Sequence, residues 1–173
     1  GTGDQGQITE NDVKSAARPE PSIFSGPVER VPLKGIRKAI AEHMVKSAFT
    51  IPHVTHMDEM DATNLIALRG EKKVEAEKHG IKLTFLPFII KVAIGALKKH
   101  PGLNATLDET ANEIVYKKYY NIGIAVDTPE GLMVPIIKDA DKKDVLEIAQ
   151  EIQRCAQKCR DRTIEPKDLA GGT

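Results

Sequence analysis

The stretch that decides the fold is Asn121-Ile-Gly-Ile-Ala-Val-Asp127-Thr-Pro-Glu-Gly131-Leu-Met-Val-Pro-Ile-Ile-Lys138. Two apolar runs of strand-forming residues flank its centre, Asp-Thr-Pro-Glu-Gly. Proline presets φ for the second position of a turn, and glycine accepts the backbone angles that follow. The pattern therefore predicts a β-hairpin or another tight connection between two strands.

Composition limits the classes of function. The chain has 173 residues, of which 40% are apolar, and its 25 basic residues balance its 25 acidic ones. This length and apolar content fit one domain with a true core and room for a small appendage. The zero net charge argues against a strong nucleic-acid binder. The longest apolar run, Phe85 to Leu97, is shorter than the roughly 20 residues of a membrane span. We therefore expect neither nucleic acid nor a membrane as a partner.

The two cysteines, Cys155 and Cys159, lie four residues apart in a helical pattern and share one face. That face is apolar, because it is in phase with Val145, Ile148 and Ile152. The pattern predicts two buried free thiols, since a zinc site would need more ligands. Unpaired thiols favour a reducing compartment, so we expect a cytoplasmic protein.

The first part of the chain differs from the rest. In residues 1–17, Thr9-Glu-Asn-Asp12 is a variant of a capping box and predicts a short helix from Val13 to Ala17. A segment this small cannot bury a core alone. Residues 18–31 contain several Pro and Gly and no periodic pattern, which indicates a linker.

Helical and strand patterns alternate after the linker. Asp61 is expected to cap a helix from Ala62 to about His79, ended by Gly80. Thr84 is expected to open a helix that is apolar on nearly every side, which is typical of a buried central helix. The other predicted elements are a helix from Leu33 or Lys34, strands at His53–Met60, Glu113–Lys117, Tyr119–Val126 and Leu132–Lys138, a helix from about Asp141 to Cys159, and a helical turn at Ile164–Leu169. This mixture predicts an α/β (mixed α+β) domain with an antiparallel or mixed sheet.

A series of runs in residues 31–173 resembles, in order and spacing, the catalytic domain of the acyltransferase (E2) subunits of 2-oxo acid dehydrogenase complexes. The runs are Val31-Pro-Leu-Lys-Gly-Ile-Arg-Lys-Ala-Ile-Ala41, Pro52-His-Val-Thr-His-Met-Asp-Glu-Met-Asp61, Gly80-Ile-Lys-Leu-Thr-Phe-Leu-Pro-Phe88, Pro101-Gly-Leu-Asn-Ala105 and Tyr120-Asn-Ile-Gly-Ile-Ala-Val-Asp127. They are most similar to the acetyltransferase type of pyruvate dehydrogenase complexes, although the branched-chain and succinyl types remain open.

The resemblance also divides the chain. Residues 1–17 resemble the C-terminal half of the peripheral-subunit-binding domain, which precedes the E2 core and holds the E1 or E3 subunit. The expected organisation is therefore a remnant of that domain at 1–17, a linker at 18–31 and the N-terminal part of the acyltransferase domain at 32–173.

The resemblance implies a chloramphenicol-acetyltransferase-like fold, with a mixed sheet flanked by helices and subunits associated as trimers in a larger core. It implies coenzyme A as a substrate and a lipoyl group carried on a domain not present here, with E1 and E3 bound through the complete subunit-binding domain. In the family a histidine takes the proton of the coenzyme A thiol, whose thiolate attacks the acyl-lipoyl thioester. A general base suits this step, because a thiol of pKa about 8.5 is mostly protonated at neutral pH.

The family's catalytic elements do not match this chain. Its base lies in a His-x-x-x-Asp-Gly motif, but no Asp stands four residues after any of the 5 histidines. The family's serine follows the Gly-Gly-Thr run that ends at Thr173. We therefore name no catalytic residue, expect both elements beyond Thr173, and expect this chain to be inactive alone.

Three residues match positions that the family uses on the coenzyme A side, and each has a structural alternative. Arg69 suits a phosphate, but it could be a solvated helix arginine. Thr84 could serve as a helix N-cap instead, and Asp127 could simply open a turn. At a fourth position, where some members carry glutamine, this chain has Ala156, which argues against a polar contact from the last helix.

Other interpretations compete with the acyltransferase. One is a non-catalytic module that docks partner subunits through residues 1–17, and another is a soluble antibiotic acetyltransferase of the same fold, against which the N-terminal remnant and linker argue. The pair His53-x-x-His56 is not expected to bind a metal, because residues three apart on a strand point to opposite faces and no third ligand is nearby.

Overall fold

In a computed structural model, residues 1–16 and 25–173 of the chain are described. The end of the predicted N-terminal helix and the first part of the predicted linker lie outside these residues. The chain divides into two compact units, Gly1–Lys34 and Gly35–Thr173, which we describe separately. The predicted boundaries at residues 17 and 31 stay predictions.

The first unit is organised around the carboxylate of Asp12. A short 3₁₀ turn, Asp4–Gly6, precedes helix α1, Glu10–Ala16. The Asp12 carboxylate accepts the backbone N–H of Thr9 at 2.7 Å and that of Thr2 at 2.8 Å. These hydrogen bonds, that from the Thr9 backbone first, hold the pKa of Asp12 well below its usual range. The predicted capping arrangement at Thr9 and Asp12 is confirmed.

The second unit contains four helices and four short strands. Its helices are α2 (Gly35–Thr50), α3 (Thr63–Lys78), α4 (Leu86–Lys99) and α5 (Val145–Arg160), and its strands are β1 (Ala105–Asp108), β2 (Glu113–Tyr116), β3 (Ile122–Gly123) and β4 (Ile136–Ile137). Single 3₁₀ turns lie at Pro101–Leu103 and Pro166–Asp168. In the described part of the chain, no helix is both long enough and apolar enough to cross a membrane.

The predicted hairpin is confirmed. Strands β3 and β4 pair antiparallel with Ile122 opposite Ile137, and a further bridge joins Val126 to Met133. The turn between them closes when the Gly131 N–H donates to the Thr128 carbonyl at 3.0 Å and the Thr128 hydroxyl donates to the Gly131 carbonyl at 2.6 Å. Gly131 has a φ of +133°, which explains the need for glycine.

The sheet is smaller than expected. Strands β1 and β2 form a second antiparallel pair, so the described residues contain two separate two-stranded sheets and no mixed one. The predicted strand at His53–Met60 is wrong: these residues have no regular structure and all are exposed. The physical reason is that a strand is stable only beside a partner, and no described segment pairs with this one.

The core consists of two buried clusters, one between α3, α4 and α5 and the other between α4, α5 and β4. One buried cluster contains Ala76, Ile81, Leu83, Phe88 and Ala149, and the other contains Ile90, Ile94, Ile137, Ala140 and Ile148. Helix α5 contributes to both clusters through adjacent residues. Its start is fixed by a capping box, in which the Asp144 N–H donates to Glu147 Oε2 at 2.7 Å and the Glu147 N–H donates to Asp144 Oδ1 at 2.8 Å. The helix therefore begins at Val145, not near Asp141 as predicted.

Helix α4 is buried on one face only. Phe88, Ile90 and Ile94 are buried, whereas the side chains of Ile89 and Val92 are 53% and 73% exposed. The prediction of a helix buried all round is wrong for this chain, because no described element covers the second face. The uncovered face remains available for other protein surface.

Replacing Ile90 with Ala should lower the free energy of unfolding by about 2–5 kcal/mol, because it opens a cavity in the core. The adjacent Ile89→Ala is the matched control and should cost less than about 1 kcal/mol, since Ile89 is already largely exposed. Urea unfolding followed by circular dichroism measures both. Equal losses would contradict the division of α4 into a buried and an uncovered face.

Candidate functional site

Arg69 links helix α3 to the segment that enters helix α4. Its Nε–H donates to the Leu83 carbonyl at 3.1 Å, and its guanidinium lies over the Phe85 ring at 4.8 Å from the centroid. The side chain is half-buried and is thus not a freely solvated helix arginine. Its terminal nitrogens have no partner among residues 1–16 and 25–173. A guanidinium held at Nε with free terminal donors suits an oxyanion such as a phosphate.

Thr84 lies between the two residues that Arg69 contacts. The fold thereby brings Arg69 and the Thr84 segment together. The N-cap residue of α4 is Phe85 and no side chain caps this helix, so the alternative role of Thr84 as an N-cap is wrong. Thr84 is exposed, and its hydroxyl has no hydrogen-bond partner in the described part of the chain. The hydroxyl is therefore free to contact a ligand.

Asp127 lies at the tip of the β3–β4 hairpin. Its neighbours Val126 and Thr128 are buried, whereas Asp127 is exposed. The hydroxyl of Thr128 closes the turn, and the Asp127 carboxylate has no hydrogen-bond or ion-pair partner among the described residues. No contact joins Asp127 to Arg69 within the same residues. The site thus has two parts, one at the entry to α4 and one on the hairpin.

An ion pair fixes the turn that carries Asp127. Glu130, within the turn, pairs with Arg162, which follows helix α5. On the other side, a Cβ added at Gly131 would lie 3.5 Å from the side chains of Ile36 and Ile40 of α2. The turn is therefore held from two directions.

The cysteines are buried, as predicted. Cys155 and Cys159 are 2% and 1% exposed and carry free thiols. Burial is the main cause that raises the pKa of each thiol above its usual value. Both thiols are consequently poor nucleophiles in the folded chain.

The histidine pair lies in an irregular, exposed segment. His53 Nε2 lies 3.4 Å from the hydroxyl of Ser47, and His56 is exposed. Within residues 1–16 and 25–173, no group of three or more His, Cys, Asp or Glu side chains could hold a metal ion.

The larger of two concave surfaces does not contain the predicted site residues. An open groove of about 1060 Å³ lies between the C-terminal half of α2 and the β1–β2 hairpin; its lining includes His43, Ser47, Leu107 and Lys117. A smaller pocket of about 380 Å³ lies beside Leu68, the neighbour of Arg69. Arg69, Thr84 and Asp127 line neither of these two.

Two asparagines were not singled out from the sequence. Asn104 is 2% exposed, and its Nδ2 donates to the carbonyls of Lys117 at 3.1 Å and Tyr119 at 3.0 Å, while its Oδ1 is buried without a partner in the described residues. Asn121 joins three segments at the base of the hairpin. The sequence feature that could have identified both residues is a polar amide next to an apolar run, because such a group needs hydrogen-bond partners when it is buried.

Comparison with known proteins identifies the family. The profile of the 2-oxoacid dehydrogenases acyltransferase (catalytic domain) family matches residues 25–173. This chain belongs to that family. The resemblance inferred from the sequence is confirmed.

Two similar proteins carry the same name. The chain is 48% identical over 158 residues to the dihydrolipoyllysine-residue acetyltransferase component of the pyruvate dehydrogenase complex of Bacillus subtilis, a match that covers 91% of this chain and 36% of that protein. The corresponding protein of Staphylococcus epidermidis is 45% identical over 171 residues, with 96% and 39% covered. The chain thus spans just over a third of the length of these relatives.

Solved structures confirm the fold class. The dihydrolipoamide acetyltransferase of Azotobacter vinelandii matches with a TM-score of 0.84 and 37% identity, covering 88% of this chain and 64% of that one. The cubic core of a pyruvate dehydrogenase multienzyme complex matches with a TM-score of 0.83 and 36% identity, covering 89% and 65%. The mixed α/β class and the coenzyme A-dependent acyltransferase fold are confirmed.

Both thiols of the folded chain should react with iodoacetamide at pH 8 at least about 100-fold more slowly than in 8 M urea, because burial limits access and raises the thiol pKa. Mass spectrometry of the alkylated chain follows the reaction. Full labelling in urea is the control that both thiols are free, and rapid labelling of either cysteine without urea would contradict the burial.

Proposed function

We propose that the protein to which residues 1–173 belong transfers an acetyl group from a dihydrolipoyl arm to coenzyme A within a pyruvate dehydrogenase complex. The observation that carries this proposal is the match of the catalytic-domain profile to residues 25–173, together with relatives of that name at 43% identity or above. The names of these relatives favour acetyl over branched-chain or succinyl groups.

The proposed reaction needs a base and an oxyanion donor. The acceptor thiol has a pKa of about 8.5, so a general base increases the reactive thiolate at neutral pH. Hydrogen-bond donors aimed at the tetrahedral oxyanion lower the barrier further. No histidine of this chain has the family's motif, so we assign both catalytic groups to other parts of the full-length protein.

We assign the coenzyme A side to Arg69, Thr84 and Asp127. The terminal nitrogens of Arg69 bind a phosphate of the nucleotide, and the Leu83 and Phe85 contacts fix the guanidinium beforehand, which reduces the entropy lost on binding. The free hydroxyl of Thr84 contributes a hydrogen bond beside it. The Asp127 carboxylate accepts a hydrogen bond from an N–H or O–H of the ligand. This contact lies away from the phosphates, because a carboxylate repels groups of the same charge.

We further propose that the chains associate as trimers within a larger core. Exposed apolar side chains of α2 and α4, among them Phe49, Ile89 and Val92, support this because such surface is unfavourable in water. The E1 and E3 subunits bind through a complete subunit-binding domain to which residues 1–17 belong. The two buried free thiols are in keeping with a reducing cytoplasm.

The full-length product of the gene should transfer acetyl groups from acetyl-dihydrolipoamide to coenzyme A, whereas residues 1–173 alone should show no turnover, because they lack a suitable base. A spectrophotometric assay of acetyl-coenzyme A formation measures both. Preference of the full-length protein for succinyl- or isobutyryl-dihydrolipoamide would overturn the acetyl assignment, and turnover by residues 1–173 would overturn the location of the base.

In the full-length protein, Arg69→Ala should raise the KM for coenzyme A about tenfold or more, because a hydrogen bond to a charged group contributes about 1.5–3 kcal/mol. The KM for acetyl-dihydrolipoamide should not change. With pantetheine, which lacks the nucleotide phosphates, wild type and variant should have equal KM values.

The matched control is Arg160→Ala, which removes an exposed arginine of α5 that has no hydrogen bond or ion pair among the described residues. It should leave both KM values unchanged. An equal effect of Arg69→Ala on coenzyme A and on pantetheine would show that Arg69 supports the fold and does not bind a phosphate.

A further inference from the structure

Asn121 lies at the base of the hairpin whose tip carries Asp127. It is half-buried and precedes strand β3 directly. Its backbone and side chain together connect the two arms of the hairpin to residues 171–173, about fifty positions further along the chain. Neither the proposed reaction nor the coenzyme A contacts described above give this residue a role.

All hydrogen-bonding groups of Asn121 are used. Its backbone N–H donates to Thr173 Oγ1 at 2.8 Å, and its carbonyl accepts the Thr173 N–H at 2.8 Å. Its Nδ2 donates to the Gly171 carbonyl at 2.8 Å, and its Oδ1 accepts the Asp139 N–H at 2.8 Å. The orientation of the amide is fixed, because one partner only accepts and the other only donates.

Segment 171–173 packs directly on the hairpin. A Cβ added at Gly172 would lie 3.0 Å from Ile136 Cδ1 of strand β4, which leaves little space for a side chain. The Thr173 hydroxyl also donates to the Tyr119 carbonyl at 3.2 Å. The segment therefore packs against the base of the hairpin, to which Asn121 is hydrogen-bonded.

The hairpin depends on this attachment because its own ladder is short. Strands β3 and β4 share two registered pairs. Towards the tip, the arms are joined by the hydrogen bond from the Ile124 N–H to the Pro135 carbonyl at 2.9 Å and by the bridge from Val126 to Met133. A two-stranded ladder of this length is marginal in water without further support. The attachment at the base therefore positions the tip together with the contacts that the turn makes at Glu130 and Gly131.

From this geometry we propose that Asn121 is a positioning residue for coenzyme A binding, which acts by tying the base of the Asp127 hairpin to residues 171–173. The proposal rests on the proposed function, since it requires that Asp127 contacts coenzyme A. Without the amide, the Gly171 carbonyl and the Asp139 N–H lose their partners, and the hairpin samples other positions. The apparent affinity is then the intrinsic affinity multiplied by the fraction of molecules in which Asp127 is correctly placed.

The test is a double-mutant cycle in the full-length protein, with Asn121→Ala, Asp127→Ala and the double variant. Asn121→Ala should raise the KM for coenzyme A about tenfold, corresponding to a competent fraction of about one tenth. The KM for acetyl-dihydrolipoamide and the kcat should change less than about twofold. The double variant should have the KM of Asp127→Ala alone, because Asn121 acts through Asp127. Gln150→Ala, which removes an exposed amide without a partner in the described residues, should change nothing.

The outcomes distinguish failure of the role of Asn121 from failure of the proposed role of Asp127. If Asp127→Ala raises the KM but the two effects multiply in the double variant, Asn121 does not act through Asp127 and this inference alone is overturned. If Asp127→Ala leaves the KM for coenzyme A unchanged, the proposed role of Asp127 fails, and the inference fails with it. A loss of kcat in Asn121→Ala at constant KM would also overturn the inference.

If Asn121→Ala does not fold, hydrogen exchange of the wild-type protein tests the proposal instead. Saturating coenzyme A should slow the hydrogen exchange of the Thr173 amide and of the amides of residues 121–126, because ligand at the tip favours the attached hairpin. Unchanged exchange at these amides, with protection elsewhere showing that ligand is bound, would overturn the proposal.

Discussion

The packing of helix α5 against helix α4 and strand β4 is the interaction on which the second unit depends. Ile148 of α5 is fully buried together with Ile90 and Ile94 of α4 and Ile137 of β4. The adjacent Ala149 reaches the other buried cluster, which contains Leu83. Because Leu83 carries the carbonyl that holds Arg69, and β4 forms one arm of the Asp127 hairpin, both parts of the candidate site are attached to the same core.

The described core covers only one face of helix α4, and two predictions from the sequence were wrong for related reasons. Helix α4 has the composition of a fully buried helix, yet one of its faces is uncovered, and the segment His53–Met60 has strand-forming residues without a strand beside it. Both features leave apolar side chains or unpaired backbone groups in contact with water, which is unfavourable. The proposed association of the chains would cover these groups.

The candidate site is divided between the entry to α4 and the β3–β4 hairpin. Arg69 and Thr84 lie at the entry to α4, where a hydrogen bond and a cation–π contact fix the guanidinium. Asp127 lies on a hairpin with a short ladder, fixed by Asn121 at its base and by the pair of Glu130 with Arg162 at its turn. The proposed ligand, coenzyme A, is long and flexible, and separated contacts of this kind would each hold a different portion of the molecule.

The sequence by itself determined the local features and the family. Short-range patterns predicted the Asp-Thr-Pro-Glu-Gly turn, the glycine that ends α3 and the apolar face of α5 with its two cysteines, since turn geometry and helical periodicity depend on neighbouring residues. The runs shared with the acyltransferase family are likewise visible in the sequence alone. Only the tertiary structure decided which face of α4 is covered, that His53–Met60 has no partner, that Arg69 contacts both neighbours of Thr84, and that Asn121 meets residues 171–173. The Arg69 and Asn121 contacts join residues 14 and 52 positions apart in the chain. No local pattern encodes such contacts, because they depend on how the whole core packs.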